Sequence, residues 1–337
     1  MKLNIISLSF LALSLFFAFD ADAGDISISQ IKKRGMVYCG TAADNELLAY
    51  KDENGVWQGF NASLCRAFAA AFLDKKDNIK MIPTKTENIA SSLKSGKIDV
   101  MFGEFPLPAE TEISSSVISM APIFRDKIML LAHKKEGATS LEDYKGSTVC
   151  LVRNSADAYH LQAFVYHYDL QLKPIYFSGR DLATNAFYLN RCILFPATSG
   201  KLKTIIKNKF KNKDTVELLP ETIGLHQIYF MVDKNSLELG IAGKWIINAL
   251  RAAAFYDIKS SNLPMILGND DVSVQNLIGN TPALWEKFKI YPNWMRQFIP
   301  DEGNFSEMYE RHLGPDTEVD LDNEEDEHGL AAPLPFI

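Results

Sequence analysis

Several signatures that would name a chemistry are missing. There is no Gly-x-Gly-x-x-Gly, no Gly-x-x-x-x-Gly-Lys-Ser/Thr, no His-Glu-x-x-His and no Cys-x-x-Cys. Dinucleotide, P-loop, zincin and thiol-redox chemistries therefore have no local motif to stand on. The 6 histidines fall at no metal-ligand spacing, so neither metal nor other cofactor is expected. A basic excess is also lacking: 35 Lys and Arg face 42 Asp and Glu, a net charge of −7. Nucleic-acid binding normally needs a basic face and is not expected. After the first residues no stretch of about 18 apolar residues recurs, so the rest of the chain is expected not to span a membrane. Cysteine is scarce, with 4 positions only: Cys39, Cys65, Cys150 and Cys192.

What is present begins with export. Lys2 precedes an apolar run from Leu3 to Phe19, followed by Ala21-Asp22-Ala23. A positive end, a short apolar core and a small-x-small site read as a secretory signal peptide. Residues 1–23 would be removed, and the mature chain would begin at Gly24 in the periplasm. An oxidising compartment makes an even cysteine count a disulfide framework, and four cysteines allow three pairings. Cys39–Cys65 with Cys150–Cys192 is preferred, because each bridge then stays within one candidate lobe. Each would contribute ~3–4 kcal/mol in the chain-entropy account.

The length exceeds one typical domain, so two lobes are the default. Strand and helix patterns alternate. Met36–Gly40 reads as a strand, and Asn61 as the cap of a helix carrying Leu64, Phe68 and Phe72 on one face. Lys80–Pro83, Ile98–Phe102 and Lys127–His133 read as strands, with a helix over Glu87–Ser95 ended by Gly96. The pattern restarts: Ser147–Val152 strand, a helix capped by Ser155, Ile175–Phe177 strand, Asp181–Leu189 helix, Cys192–Phe195 strand. Two βαβαβ units imply parallel sheets flanked by helices. Ile228–Val232 and the helix Leu237–Ala254 follow, and the remainder is helical. Asp316 to Glu327 carries eight acidic residues and reads as a solvated extension. Ligands of open α/β sheets bind beyond the carboxyl ends of strands, near helix N-termini.

Several segments, in order, resemble the amino-acid-binding proteins of bacterial ABC importers: Ile31–Gly40, Gly55-Val56-Trp57-Gln58-Gly59-Phe60-Asn61, Leu64–Ala67 and Leu93–Val100. The cysteine positions and Asn304–Arg311 are most similar to the longer general L-amino-acid-binding subgroup, and the likeness spans roughly residues 27–313. The resemblance implies a type II periplasmic-binding fold, with two lobes, each a mostly parallel mixed sheet flanked by helices, joined by two hinge strands. It implies lobe 1 over 24–133 and 226–313, lobe 2 over 134–225, and an acidic extension over 314–337. The chain would cross near Ala132–Ser140 and return near Glu221–Tyr229. One small solute would be trapped by closure, and a membrane permease would be the partner.

The family's ligand groups do not carry over. Its carboxylate-gripping arginine falls at Thr111, its Gly-Thr-Thr cradle at Asn154-Ser155-Ala156, its ammonium-binding acid near Thr198, and its stacking ring at Leu48. Leu48, Phe102, Glu104, Phe105, Thr111, Asn154, Ser155 and Thr198 are the expected cleft residues. Arg125 or Arg153 could supply a replacement cation, and Glu104 or Asp157 an acid. Trp57, Trp245 and Trp285 read as packing residues. Three functions compete: an importer's binding protein with altered specificity, a binding-like protein turned interaction or sensor module, and an enzyme on the same scaffold. The last would need Glu104 beside His160 or His226, which their spacing does not provide, so no enzymatic activity is expected.

Overall fold

A computed structural model describes residues 27–42, 45, 48–104, 115–153 and 155–314. The expected signal peptide, the acidic run, and Phe105, Thr111 and Asn154 lie outside the described residues. Among the described residues no helix is long and apolar enough to cross a membrane.

The chain opens with α1 (Ile28–Arg34), held by a capping box between Ser27 and Gln30. β1 (Val37–Ala42) follows, then a small hairpin of β2 (Tyr50–Lys51) and β3 (Trp57–Gln58). α2 (Phe60–Leu73) is buried nearly all round, as its Phe- and Ala-rich sequence requires. Its N-cap is Gly59 rather than Asn61. Asn61 lies inside the helix and donates its amide to Thr41 Oγ1 at 2.9 Å and the Phe102 carbonyl at 3.0 Å. A buried amide needs partners, and the core offers two stronger than a cap.

β4 (Ile79–Thr84), α3 (Ile89–Lys94) and β5 (Val100–Glu104) complete the first βαβαβ unit. β6 (Val117–His133) then runs 17 residues. The second unit is β7 (Thr148–Val152), α4 (Ala156–His167), β8 (Lys173–Phe177), α5 (Arg180–Tyr188), β9 (Leu194–Thr198) and α6 (Ser199–Lys209). β10 (Val216–Leu218) and β11 (Gly224–Asp233) lead into α7 (Leu237–Phe255). Five shorter helices close the described chain: α8 (Leu263–Ile266), α9 (Val272–Leu277), α10 (Pro282–Lys287), α11 (Trp294–Glu302) and α12 (Phe305–His312).

One nine-stranded sheet has the order β4-β1-β5-β11-β6-β9-β7-β8, with β10 also on β6. β1, β4 and β5 are mutually parallel, and so are β7, β8 and β9. The long antiparallel pair β6 and β11 joins the two sets. Glu104, the last residue of β5, faces Ile228, which faces Phe124 of β6. Thr198, the last residue of β9, faces Ile128 of β6. The carboxyl ends of the two parallel sets therefore point at each other across four residues of β6, a rise of about 13 Å.

Packing divides at the same place. Phe124 belongs to a core built from α2, α7, β11 and the C-terminal helices. Ile128 and Leu130 belong to a separate core with Leu141, Val149 and Leu161. Met129 and Leu131 face a third with Phe187 and Phe195. Cys39–Cys65 ties β1 to α2, and Cys150–Cys192 ties β7 to the approach of β9. Each bridge stays on one side of the division.

The strand over residues 117–126 was not foreseen. Pro122 and the charged Arg125-Asp126-Lys127 break the apolar pattern there. The ladder absorbs them by shifting register between Ile228 and Tyr229, where Pro122 pairs without needing an amide hydrogen. Arg251 of α7 donates to the carbonyls of Pro122 and Ile123 at 2.8 and 2.7 Å.

Candidate functional site

The place where the two sets of strand ends meet is lined by charge. Glu104 sits at the end of β5. α6 begins directly after β9, and its third residue is Lys201. The Lys201 ammonium lies 2.5 Å from Glu104 Oε1. His226, near the start of β11, places Nδ1 3.4 Å from Glu104 Oε2. All three are buried, at 9 %, 2 % and 6 % exposure. An ion pair of this burial holds only if well partnered, and here one carboxylate meets two donors contributed by other elements.

Asp126 of β6 forms the floor. It accepts from Ser199 Oγ at 2.6 Å and from the Gly200 amide at 3.3 Å, at the first turn of α6. A helix N-terminus offers amides that favour an anion. Gly200 also lets Asn45, from the segment after β1, approach: a Cβ there would lie 3.2 Å from Asn45 Nδ2. Asp157, in the first turn of α4, pairs with Arg180 of α5 at 2.8 Å. His160 of α4 lies against Gly224, where a Cβ would stand 2.4 Å from its Nδ1. Three helix N-termini of the second unit thus converge on the strand ends of the first.

The protonation states follow from burial and neighbours. Burial pushes the Glu104 carboxyl up, but Lys201 and His226 outweigh it and hold it well below the usual carboxylate range. Burial pulls His226 down, and Glu104 more than restores it, so the imidazole protonates more readily than usual. His160 is lowered by burial and by His226. Asp126 is raised by burial, against the hydrogen bonds from Ser199, Gly200 and Thr198. Glu104 does meet His226, which sequence spacing could not reveal. Held as a carboxylate by Lys201, it is too weak a base for general acid–base work.

The expected cleft residues divide. Glu104 and Thr198 are at the junction, Thr198 being buried at the start of α6. Ser155 caps α4 and accepts from the Ala158 amide at 3.2 Å. Leu48 is buried in the first core, and its carbonyl accepts the Asn61 amide at 2.8 Å. Phe102 is likewise buried in that core. It shares a face with Glu104 one pleat back, and its ring packs on Phe68 and Phe230. Arg125 bonds Gln227 across the ladder at 3.3 Å, and Arg153 covers the Tyr176 ring on the surface. Asp157 pairs with Arg180 and so already has a cation. Lys201, Asp126, Arg180 and Asn45 escaped sequence reading. For Lys201 the signal was its place, three residues beyond the expected ammonium-binding position at Thr198.

Comparisons with known proteins agree with this geometry. Residues 37–314 match the bacterial extracellular solute-binding proteins, family 3. The glutamate/glutamine/aspartate/asparagine-binding protein BztA of Rhodobacter capsulatus is 24% identical over 298 residues, covering 88% of this chain and 87% of BztA. The general L-amino acid-binding periplasmic protein AapJ of Rhizobium johnstonii is 22% identical over 294 residues, covering 87% and 86%. A solved periplasmic binding protein of Brucella ovis with glutathione bound superposes with a TM-score of 0.78 at 21% identity, over 86% of this chain and 92% of that one. With its strand ends opposed across two shared long strands, and with this match over most of its length, the chain belongs to the bacterial extracellular solute-binding proteins, family 3.

Proposed function

We propose that this chain is the periplasmic solute-capturing component of an ABC importer whose specificity has moved away from ordinary amino acids. Export by residues 1–23, a first lobe over 24–133 and 226–313, and a second lobe over 134–225 are part of that reading. The solute enters between the lobes, closure about β6 and β11 traps it, and a membrane permease reads the closed form.

One observation carries the specificity claim: Glu104, Lys201 and His226 already neutralise one another in the junction. A zwitterion needs a free cation for its carboxylate and a free acid for its ammonium. Among the described junction residues both would have to be taken from an existing buried pair, at a cost of several kcal/mol. The remaining expected contacts, Phe105, Thr111 and Asn154, bring no charge to replace them. A solute that offers hydrogen bonds without separated charges fits better. The same observation favours, as a second reading, a protein that has given up small-molecule capture and serves as an interaction or sensor module.

A thermal-shift screen separates the two. A captured solute at 100 times its Kd adds ~2.7 kcal/mol to stability. Uncharged polar solutes and amino-acid derivatives blocked at the amine or the carboxyl are expected to include at least one that raises the melting temperature by several degrees. A flat response across all classes would favour the sensor reading.

A further inference from the structure

The junction pair also spans the division of the molecule. Glu104 ends β5, two residues after Phe102, which packs in the first core. Lys201 stands next to Leu202, which packs in the core around Phe187. Between those cores the described chain runs through β6 and β11. His226 lies on that stretch of β11, between Ile223 of the core with Ile128 and Ile228 of the first core. The 2.5 Å contact of Lys201 Nζ with Glu104 Oε1 is therefore a bond between the halves, not within one.

Two further contacts lie on the same division. Asn45, beyond β1, meets Gly200 at the start of α6, where a Cβ would stand 3.2 Å from Asn45 Nδ2. At the outer rim, Lys85 after β4 places Nζ 3.6 Å from Asp181 Oδ2, in the first turn of α5. Both rim side chains are exposed, and such a pair contributes little by itself, but it marks the rim as shut. From the buried pair to the rim, the halves touch through their own side chains.

We propose that the Glu104–Lys201 bond is a latch that holds the two halves closed without any solute. The inference rests on the reading of β6 and β11 as a hinge. Opening would give both charged groups to water. Closing trades that water for the direct bond, with His226 as a second neighbour of the carboxylate. Desolvation offsets much of the attraction in a buried pair, so the latch can part. Its hold shows when one member is removed: the closed form then buries an uncompensated charge, and the open form does not. The latch also bears on capture. A solute that enters only the open form binds with an apparent affinity reduced by the open fraction. Solutes that bind weakly are then excluded by the pair twice, through its occupied charges and through the closure it maintains.

Cross-linking across the rim tests this in the full chain carrying K85C/D181C. The native cysteines are bridged, so only the introduced pair reacts. Carried-over solute is removed by unfolding in urea with the disulfides intact, dialysis and refolding. A short bis-maleimide is then added, and mass spectrometry compares bridged chains with doubly capped ones. With Glu104 and Lys201 both present, most solute-free chains are expected to be bridged. K201M or E104Q should lower the bridged-to-capped ratio about ten-fold or more. E104Q/K201M, which leaves neither charge alone, should recover most of it. If a single variant loses its circular dichroism, E104D takes its place: it keeps the charge, withdraws it by one methylene and should also lower the ratio. A low ratio with the pair intact would overturn the latch; if it then rose with a solute from the thermal-shift screen, solute capture would stand without it. The same high ratio in every variant would overturn both the latch and the hinge reading.

Discussion

At the scale of residues, the junction is a problem in charge pairing. Glu104→Gln leaves Lys201 and His226 buried without their carboxylate, and Lys201→Met leaves Glu104 with His226 alone. Removing one partner of a buried pair typically costs ~3–5 kcal/mol, while replacing both by apolar or neutral groups is often close to neutral. Each single substitution is therefore expected to lower the urea midpoint strongly, and E104Q/K201M to lower it by much less than the sum. A coupling of ~2 kcal/mol or more in this cycle is the expected result. Strict additivity would mean that the two side chains do not pair in solution. Only one of the two partners could be chosen from sequence. Glu104 stood out as an acid in the right loop, but Lys201 looked like one lysine among many until β9 and α6 placed it.

At the scale of elements, alternation and turn chemistry made most strands and helices legible. The helix of Leu64, Phe68 and Phe72 was legible from its spacing, and so were the strand of Cys39 and the capping Ser155. Two readings failed for identifiable reasons. Asn61 looks like a cap because it precedes an apolar face, yet tertiary contacts with Thr41 and Phe102 draw it inside. The front of β6 was hidden because a strand that passes between two cores shows no single apolar face, and because Pro122 sits at a register shift. Leu48 was placed in the cleft by alignment to a family pattern and Phe102 by its place at a strand's carboxyl end; both side chains pack in the first core. The disulfides allow an element-level test. Cys150–Cys192 spans 42 residues wholly within the second unit. C150S/C192S is expected to cost ~3–4 kcal/mol. Faster amide exchange should appear in β7, β9 and α5 and not in β1 or α2. Equal loosening of both units would contradict the separate cores.

At the scale of the whole molecule, among the described residues two long strands join the two parallel strand sets, while three helix N-termini and one strand end meet beside them. Under the proposed function, a solute at the junction would control the angle between halves. The arrangement also explains how a family member could keep its scaffold and change its ligand: disulfides and cores lie away from the residues proposed to meet the solute. The central claim is that the junction's own ion cluster has displaced the charge clamp for free amino acids. Isothermal titration calorimetry of the full chain with the common L-amino acids tests it most directly. Loss of a buried charge partner lowers affinity ~30-fold to several thousand-fold. The expected result is no saturable heat below about 1 mM for any of them. Sub-micromolar binding of an ordinary amino acid would contradict the account.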